Sequence, residues 1–208
     1  MTTSGISDQR SPDSTKIGGW LFRHRTSIPV PFALALLLVR LGEAPFSWTL
    51  VLAGTVLTLT GEAIRLWAVR QIGTISRTRS DRLGPLVTSG PFALVRNPLY
   101  IGNIFLWVGL AITARLLWMA PLVLVLLALE YHAIVKWEEG LLLAKRGEEY
   151  RQYCAQVPRW IPTKRRNRRE RGERRETGFS WPETLFSERG TLIAIAGGYV
   201  LLWLKNFF

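Results

Sequence analysis

Arg96, Asn97 and Tyr100 are the polar residues of a turn-rich stretch, Gly90-Pro91-Phe92-Ala93-Leu94-Val95-Arg96-Asn97-Pro98-Leu99-Tyr100-Ile101-Gly102-Asn103, set between long apolar segments. Pro91 and Pro98 keep the residues before them extended, and Pro98 suits the first turn of a helix, where its missing N–H costs nothing. The stretch therefore reads as a structured loop that delivers Arg96, Asn97 and Tyr100 to a helix mouth. Read alone, it is equally a membrane-surface turn with a snorkelling Arg. A second polar group, Glu138-Glu139, follows another apolar run. Residues seven apart lie about 20° from each other around a helix. Tyr131 thus aligns with Glu138, and His132 with Glu139, as two rails running out of the membrane. A third group, Glu62 and Arg65, is spaced to share one helix face. It is either an ion pair near the headgroups or a functional pair, since ionisable groups at membrane depth are costly. Guanidinium, carboxylates, carboxamide and phenols together suit a pocket for a polar cofactor and a greasy substrate. Metal chemistry is not expected: there is no His-x-x-x-His pair, a single cysteine (Cys154) and no Gly-x-Gly-x-x-Gly fingerprint.

The elements that must position these groups are apolar runs near the roughly 20 residues needed to cross a bilayer. Residues 28–41, 48–69, 99–117, 122–137 and 190–204 predict about five spans. The first is short and carries Pro29 and Pro31, so it crosses only if tilted or extended by the interfacial segment before it. Spans three and four form a hairpin that reverses near Ala114 and Arg115. The fourth continues towards Tyr153 as one long helix, or as two joined at Gly140. The fold class is all-α, a polytopic membrane helix bundle with a cofactor pocket at its cytoplasmic face. Four segments are expected: a tail and interfacial segment (1–26, its first fifteen residues disordered), a membrane core (27–162), a basic linker (163–189) and a C-terminal transmembrane helix (190–208).

The formal charge of +12 is distributed as in a membrane protein rather than a nucleic-acid binder. Only Arg40, Arg115 and Lys205 fall on one side of the predicted spans. The opposite side, with most of the Lys and Arg, is assigned to the cytoplasm, together with the N-terminus. No cleavable leader is expected from the polar N-terminal residues. Residues 164–175 are nearly all basic and fit anionic headgroups, worth about 1 kcal/mol per basic residue near the surface. No base-stacking module accompanies them, so nucleic acid is not an expected partner.

The ordered set Gly90-Pro91-Phe92, Val95-Arg96-Asn97-Pro98-Leu99-Tyr100-Ile101-Gly102-Asn103, the hairpin, Glu138-Glu139, Arg146-Gly147-Glu148-Glu149-Tyr150, Tyr153 and Val157-Pro158-Arg159 resembles the isoprenylcysteine carboxyl methyltransferase and phospholipid methyltransferase family of membrane enzymes. Gly61, Arg65 and Trp67 fit its bacterial branch, which implies the inner (plasma) membrane. The resemblance covers roughly residues 60–162 and implies S-adenosylmethionine as methyl donor and a lipophilic acceptor. Cofactor contacts would come from Gly90, Pro91, Arg96, Asn97, Pro98, Leu99, Tyr100, Gly102, Asn103, Glu138 and Glu139, with Arg96 and Glu139 as catalytic residues. Glu62, Arg65, Tyr131 and His132 are substrate-binding or structural. Where the family commonly has Arg-His-Pro this chain has Arg96-Asn97-Pro98, and Asn cannot titrate near neutrality.

A sulfonium methyl is already electrophilic, so the protein has mainly to align donor and acceptor and exclude water. A carboxylate acceptor needs no base and gains from a nearby Arg. An amine must be neutral, and Glu138 or Glu139 is placed to take its proton. Either Glu is equally suited to bind the donor. The competing readings are a nicotinamide-dependent membrane reductase of the sterol-reductase type and a non-catalytic membrane scaffold.

Overall fold

The computed structural model describes residues 12–73, 86–162 and 178–207. Among them are seven α-helices and no strands. They are α1 (Pro12–His24), α2 (Pro29–Leu38), α3 (Trp48–Ile72), α4 (Pro98–Thr113), α5 (Met119–Arg146), α6 (Glu148–Gln156) and α7 (Trp181–Leu204). Helices α3, α5 and α7 are long and apolar enough to cross a membrane, whereas α2 and α4 are shorter apolar helices. Large apolar side chains stand exposed on the outside, among them Leu52, Val56 and Leu59 of α3 and Ile193, Val200 and Trp203 of α7. Such a surface belongs in lipid, and the chain is an integral membrane protein.

Helices α3 and α4 form the closest pair because small residues face each other along it. A Cβ on Gly54 would come within 2.6 Å of the Gly109 carbonyl oxygen, and one on Gly61 within 2.5 Å of the Gly102 carbonyl oxygen. Small residues at matched heights let membrane helices pack backbone to backbone. This contact holds Arg65 of α3 beside Asn103 of α4. The hairpin continues into α5 through a tight reversal in which Arg115 takes φ 62°. Leu110, Ala111, Leu116, Val123, Leu127 and Ile134 form the buried core between α4 and α5. Helix α1 runs along α5, with Gly18 against the Ala133 carbonyl and Phe22 against Trp137 at 4.9 Å between ring centroids.

Several boundaries differ from the sequence expectation. The first apolar run yields a helix of 10 residues, α2, with Pro29 in its first turn. Gly140 does not divide the fourth helix; α5 runs through it, and the chain breaks at Gly147, whose φ of 52° suits glycine. Residues 12–15 are helical rather than disordered, whereas residues 1–11 lie outside the described residues. So do 74–85 of the long polar loop and 163–177, which hold the basic stretch 164–175. The last helix begins at Trp181 rather than Gly190, because Ser180 and Glu183 form a reciprocal cap: Glu183 Oε2 accepts from the Ser180 backbone N–H at 2.7 Å, and the Glu183 N–H donates to Ser180 Oγ at 3.4 Å.

Helix α7 is tied down at both ends. At one, the Phe179 N–H donates to the Arg70 carbonyl (2.8 Å), and the Arg70 guanidinium lies 4.7 Å from the Trp181 ring centroid. At the other, Lys205 Nζ meets Glu43 Oε2 at 3.1 Å and donates to the carbonyls of Val39 (2.7 Å) and Leu36 (3.2 Å). Arg115 pairs with the same Glu43. Between these ties the helix stands over a cavity.

Candidate active site

Glu139 of α5 is the hub of the polar end of that cavity. Its Oε1 forms an ion pair with Arg96 Nη1 at 2.9 Å and accepts from Arg159 Nε at 3.0 Å, while its Oε2 accepts from Arg159 Nη2 at 2.6 Å. One carboxylate thus joins the loop before α4 to the segment after α6. The backbone closes the same junction: the Arg96 N–H donates to the Pro158 carbonyl at 2.9 Å, and Asn97 Nδ2 donates to the Arg159 carbonyl at 3.2 Å. Asn97 is therefore a latch that holds the two segments together. A donor nitrogen is all this contact asks of the position.

Tyr100 sits in the first turn of α4, and its hydroxyl donates to Glu138 Oε2 at 2.9 Å. Its ring stacks on Tyr131 at 4.7 Å between centroids. The predicted alignment of Tyr131 with Glu138 is thus real, but Tyr100 completes it. The second rail is only half present at the site: Glu139 lines the cavity and His132 is not among the lining residues. Glu62 and Arg65 do pair across one helix turn, at 3.1 Å. The pair is larger than expected, because Arg65 also donates to Asn103 and to Glu188 Oε2 of α7 (2.5 Å). Thr191, one turn further along α7, donates to that same Glu188 oxygen at 3.1 Å.

The cavity has a volume of about 740 Å³, in the range of small-molecule sites. Of the residues singled out from the sequence, Arg65, Arg96, Asn97, Pro98, Leu99, Tyr100, Asn103, Tyr131, Glu138 and Glu139 line it. Gly90, Pro91, Gly102 and Glu62 do not. Gly90, at φ 60°, shapes the turn against Gln71, Pro91 is buried beneath it, and Gly102 is spent on the contact with α3. Glu62 lies behind Arg65 and is 4% exposed. The opposite end of the cavity is apolar, with Leu36, Leu106, Leu110 and Leu202 in its wall.

Electrostatics keep the charged end charged. Burial acts most strongly on the Arg96 guanidinium, to lower its pKa, but Glu139, Cys154 and Tyr150 together outweigh it, and the net shift is upward. Burial pushes the phenols of Tyr150 and Tyr153 well above their ordinary range, so both stay neutral. Tyr153 donates to the Phe92 carbonyl at 2.7 Å and so props the loop that carries Arg96. Arg96 Nε is buried with no hydrogen-bond partner among the described residues. A guanidinium with a donor to spare, beside two carboxylates, matches a small zwitterion whose carboxylate and ammonium need opposite partners. Among the described residues no three His, Cys, Asp or Glu side chains converge as a metal ion would require.

Arg159, Glu188 and Thr191 were not assigned to the site from sequence. For Glu188 one signal was available: the Ser180-Trp181-Pro182-Glu183 cap that starts its helix earlier and so carries it into the same helix as the apolar run.

A phospholipid methyltransferase profile matches residues 49–147. Over 172 residues the chain is 30% identical to the cobalt-zinc-cadmium resistance protein CzcN of Cupriavidus metallidurans, covering 78% of this chain and 75% of that one. The chain belongs to the phospholipid methyltransferase family. It is also 27% identical over 155 residues to the nickel-cobalt-cadmium resistance protein NccN of Alcaligenes xylosoxydans xylosoxydans, covering 70% of this chain and 68% of that one. The stretch matching the phospholipid methyltransferase family holds Arg65, Arg96, Asn97, Tyr100, Glu138 and Glu139. Arg159 and all of α7 lie beyond it.

Proposed function

We propose that this membrane protein transfers a methyl group from S-adenosylmethionine to a lipophilic acceptor. One observation carries the reading: in a chain of the phospholipid methyltransferase family, Arg96, Glu138 and Glu139 meet at the polar end of a cavity whose other end is apolar. Arg96 suits the donor's carboxylate through its spare Nε–H, and Glu138 or Glu139 suits its ammonium or ribose hydroxyls. The donor supplies an electrophilic methyl on a positively charged sulfur. When bound, that donor would offer its methyl to a lone pair of the acceptor and leave as the neutral thioether, and Glu138 or Glu139 would be placed to take any proton the acceptor gives up. The protein's task is then alignment and exclusion of water, for which a site closed by α7 and the Asn97 latch is suited.

In this reading the polar end of the cavity faces the cytoplasm of a bacterial inner membrane, with the N-terminus on the same side, following the distribution of Lys and Arg. In the same reading the basic residues 164–175 bind anionic headgroups. The names of the two relatives concern metal resistance, and methylation of a membrane component is compatible with service in such a system. The test is calorimetric titration of the purified protein with S-adenosylhomocysteine and with NADPH, followed by incubation of labelled donor with a lipid extract of the source cell. Saturable binding of the first and label in a lipid species are expected. Binding of NADPH alone overturns the assignment.

A further inference from the structure

Three cations, Arg40, Arg115 and Lys205, and one carboxylate, Glu43, gather where the loop before α3, the reversal between α4 and α5 and the end of α7 meet. This is the end of α7 opposite Glu188 and its pair with Arg65. No other ionisable side chain occurs in residues 39–47, 114–118 or 205–207, so the cluster carries two positive charges in excess. Lys205 is buried and fully used, its three ammonium hydrogens matched by Glu43 and the carbonyls of Val39 and Leu36. The two arginines are not. Arg40, which is exposed, donates from Nη2 to the Lys205 carbonyl at 2.7 Å. Arg115 donates from Nη2 to Asn206 Oδ1 at 2.7 Å and to Glu43. Both guanidinium groups thus lean on consecutive residues of one turn, while their Nε and Nη1 edges bond no described residue. The reversal itself does not call for arginine: Arg115 sits at φ 62°, which glycine adopts at no steric cost. Large exposed rings border the cluster. Phe46 and Trp48 meet edge to face at 5.1 Å, and Trp118 Nε1 donates to the Leu41 carbonyl at 3.0 Å. Such rings settle at the level of lipid headgroups.

We propose that this end of the protein holds an anionic phospholipid of the adjoining leaflet, with the lipid phosphate between Arg40 and Arg115. A phosphate diester offers charged oxygens to both free donor edges at once. Net charge makes the choice among lipids. An anionic head group offsets the excess of the cluster, whereas a choline head group sets its own cation against two guanidinium groups. The acyl chains have apolar surface to follow, since Leu38 of α2 and Trp203 of α7 stand exposed beside the cluster. A basic residue near the surface favours anionic over neutral lipid by about five-fold, so two uncompensated charges give about 25-fold. The assignment stands apart from methyl transfer and holds whether or not the protein is an enzyme.

The experiment uses the full-length protein in phosphatidylcholine nanodiscs doped with a photoactivatable lipid. The probe carries a diazirine on its acyl chain close to the glycerol and is either a phosphatidylglycerol or a phosphatidylcholine. Cross-links are mapped by mass spectrometry, and those in residues 38–48, 114–118 and 203–207 read this site apart from lipid bound elsewhere. In the wild-type protein the phosphatidylglycerol probe is expected to label these residues about 25-fold more than the phosphatidylcholine probe. Arg40→Gln removes an exposed side chain and leaves both partners of Glu43 in place, and is expected to lower the ratio to about five. Arg40→Gln combined with Arg115→Gln is expected to bring it close to one, and the single variant decides the matter should the double variant not fold. Unlabelled phosphatidylglycerol is expected to compete with the probe, and glycerophosphoglycerol, the same head group without chains, is not. Equal labelling by the two probes in the wild-type protein, a ratio unaltered by Arg40→Gln, or competition by glycerophosphoglycerol overturns the proposal.

Discussion

Arg159 grips Glu139 through both carboxylate oxygens, at 3.0 and 2.6 Å, and so ties the segment after α6 to the C-terminal part of α5. A two-point contact of this kind fixes orientation as well as distance. Because Arg96 shares Oε1, the Glu139→Gln protein retains two guanidinium groups facing an uncharged amide. Breaking a largely buried pair in this way costs about 3 kcal/mol. We expect a clear loss of thermal stability in detergent and S-adenosylhomocysteine binding weakened at least about 100-fold. Binding within a factor of two of wild type would remove Glu139 from the site.

Asn97 invites a graded test. Its amide donates to the Arg159 carbonyl at 3.2 Å, so Asn97→Ala removes a latch and no charge. The expected cost is about 1 kcal/mol, or roughly five-fold in S-adenosylhomocysteine affinity. Asn97→His, which restores a ring N–H donor, is expected to recover most of it. A larger loss in Asn97→His than in Asn97→Ala would show that the position does not act by donating a hydrogen bond.

The hairpin, the long α5 and the loop carrying Arg96 were legible in the sequence because each follows from local chemistry. Apolar length gives a span, Pro98 gives a helix start, and seven-residue spacing aligns Tyr131 with Glu138. Three features were not. Arg159 reaches Glu139 only because the chain turns back after Gly147, and such a tertiary return leaves no periodic trace. Gly102 lies in the loop-to-helix stretch beside real cavity residues, yet its missing Cβ serves the contact with Gly61. Helix α7 was recognised by its apolar half alone, so Glu188 stayed on the wrong side of a boundary that the Ser180 cap marks. His132 shows the converse: correct helical alignment with Glu139 does not bring it into the cavity, because the lining face of α5 narrows to Tyr131, Glu138, Glu139 and Leu142.

The two buried phenols of α6 give the protein an alkaline limit. Burial raises the pKa of both Tyr150 and Tyr153 in the folded state above the unfolded value of about 10. Folding therefore favours the protonated forms. Their contribution is complete below the unfolded pKa and is lost as the pH rises through and beyond it. Unfolding measured from about pH 8 to about pH 11 is expected to show stability falling only in the last unit of that range. Tyr153→Phe is expected to flatten the fall. It should also cost about 1 kcal/mol at neutral pH, through the lost hydrogen bond to the Phe92 carbonyl. An identical alkaline slope in Tyr153→Phe would refute the assignment.

Lys205 tests whether α7 depends on its far anchor. The residue is 8% exposed, and its ammonium meets Glu43 and two carbonyls at the end of α2. Lys205→Met keeps the chain length and removes the charge. Glu43 retains Arg115, so the variant strands no carboxylate, and the carbonyls of Leu36 and Val39 lose a donor. The expected cost is about 2 kcal/mol. The loss should be local, because α7 touches the α3–α5 core along little of its length. Hydrogen exchange should therefore quicken in residues 195–204 while the amides of α4 and α5 keep their protection. Uniform loss of protection across α4, α5 and α7 would mean that the anchor supports the whole bundle instead of holding one wall of the cavity.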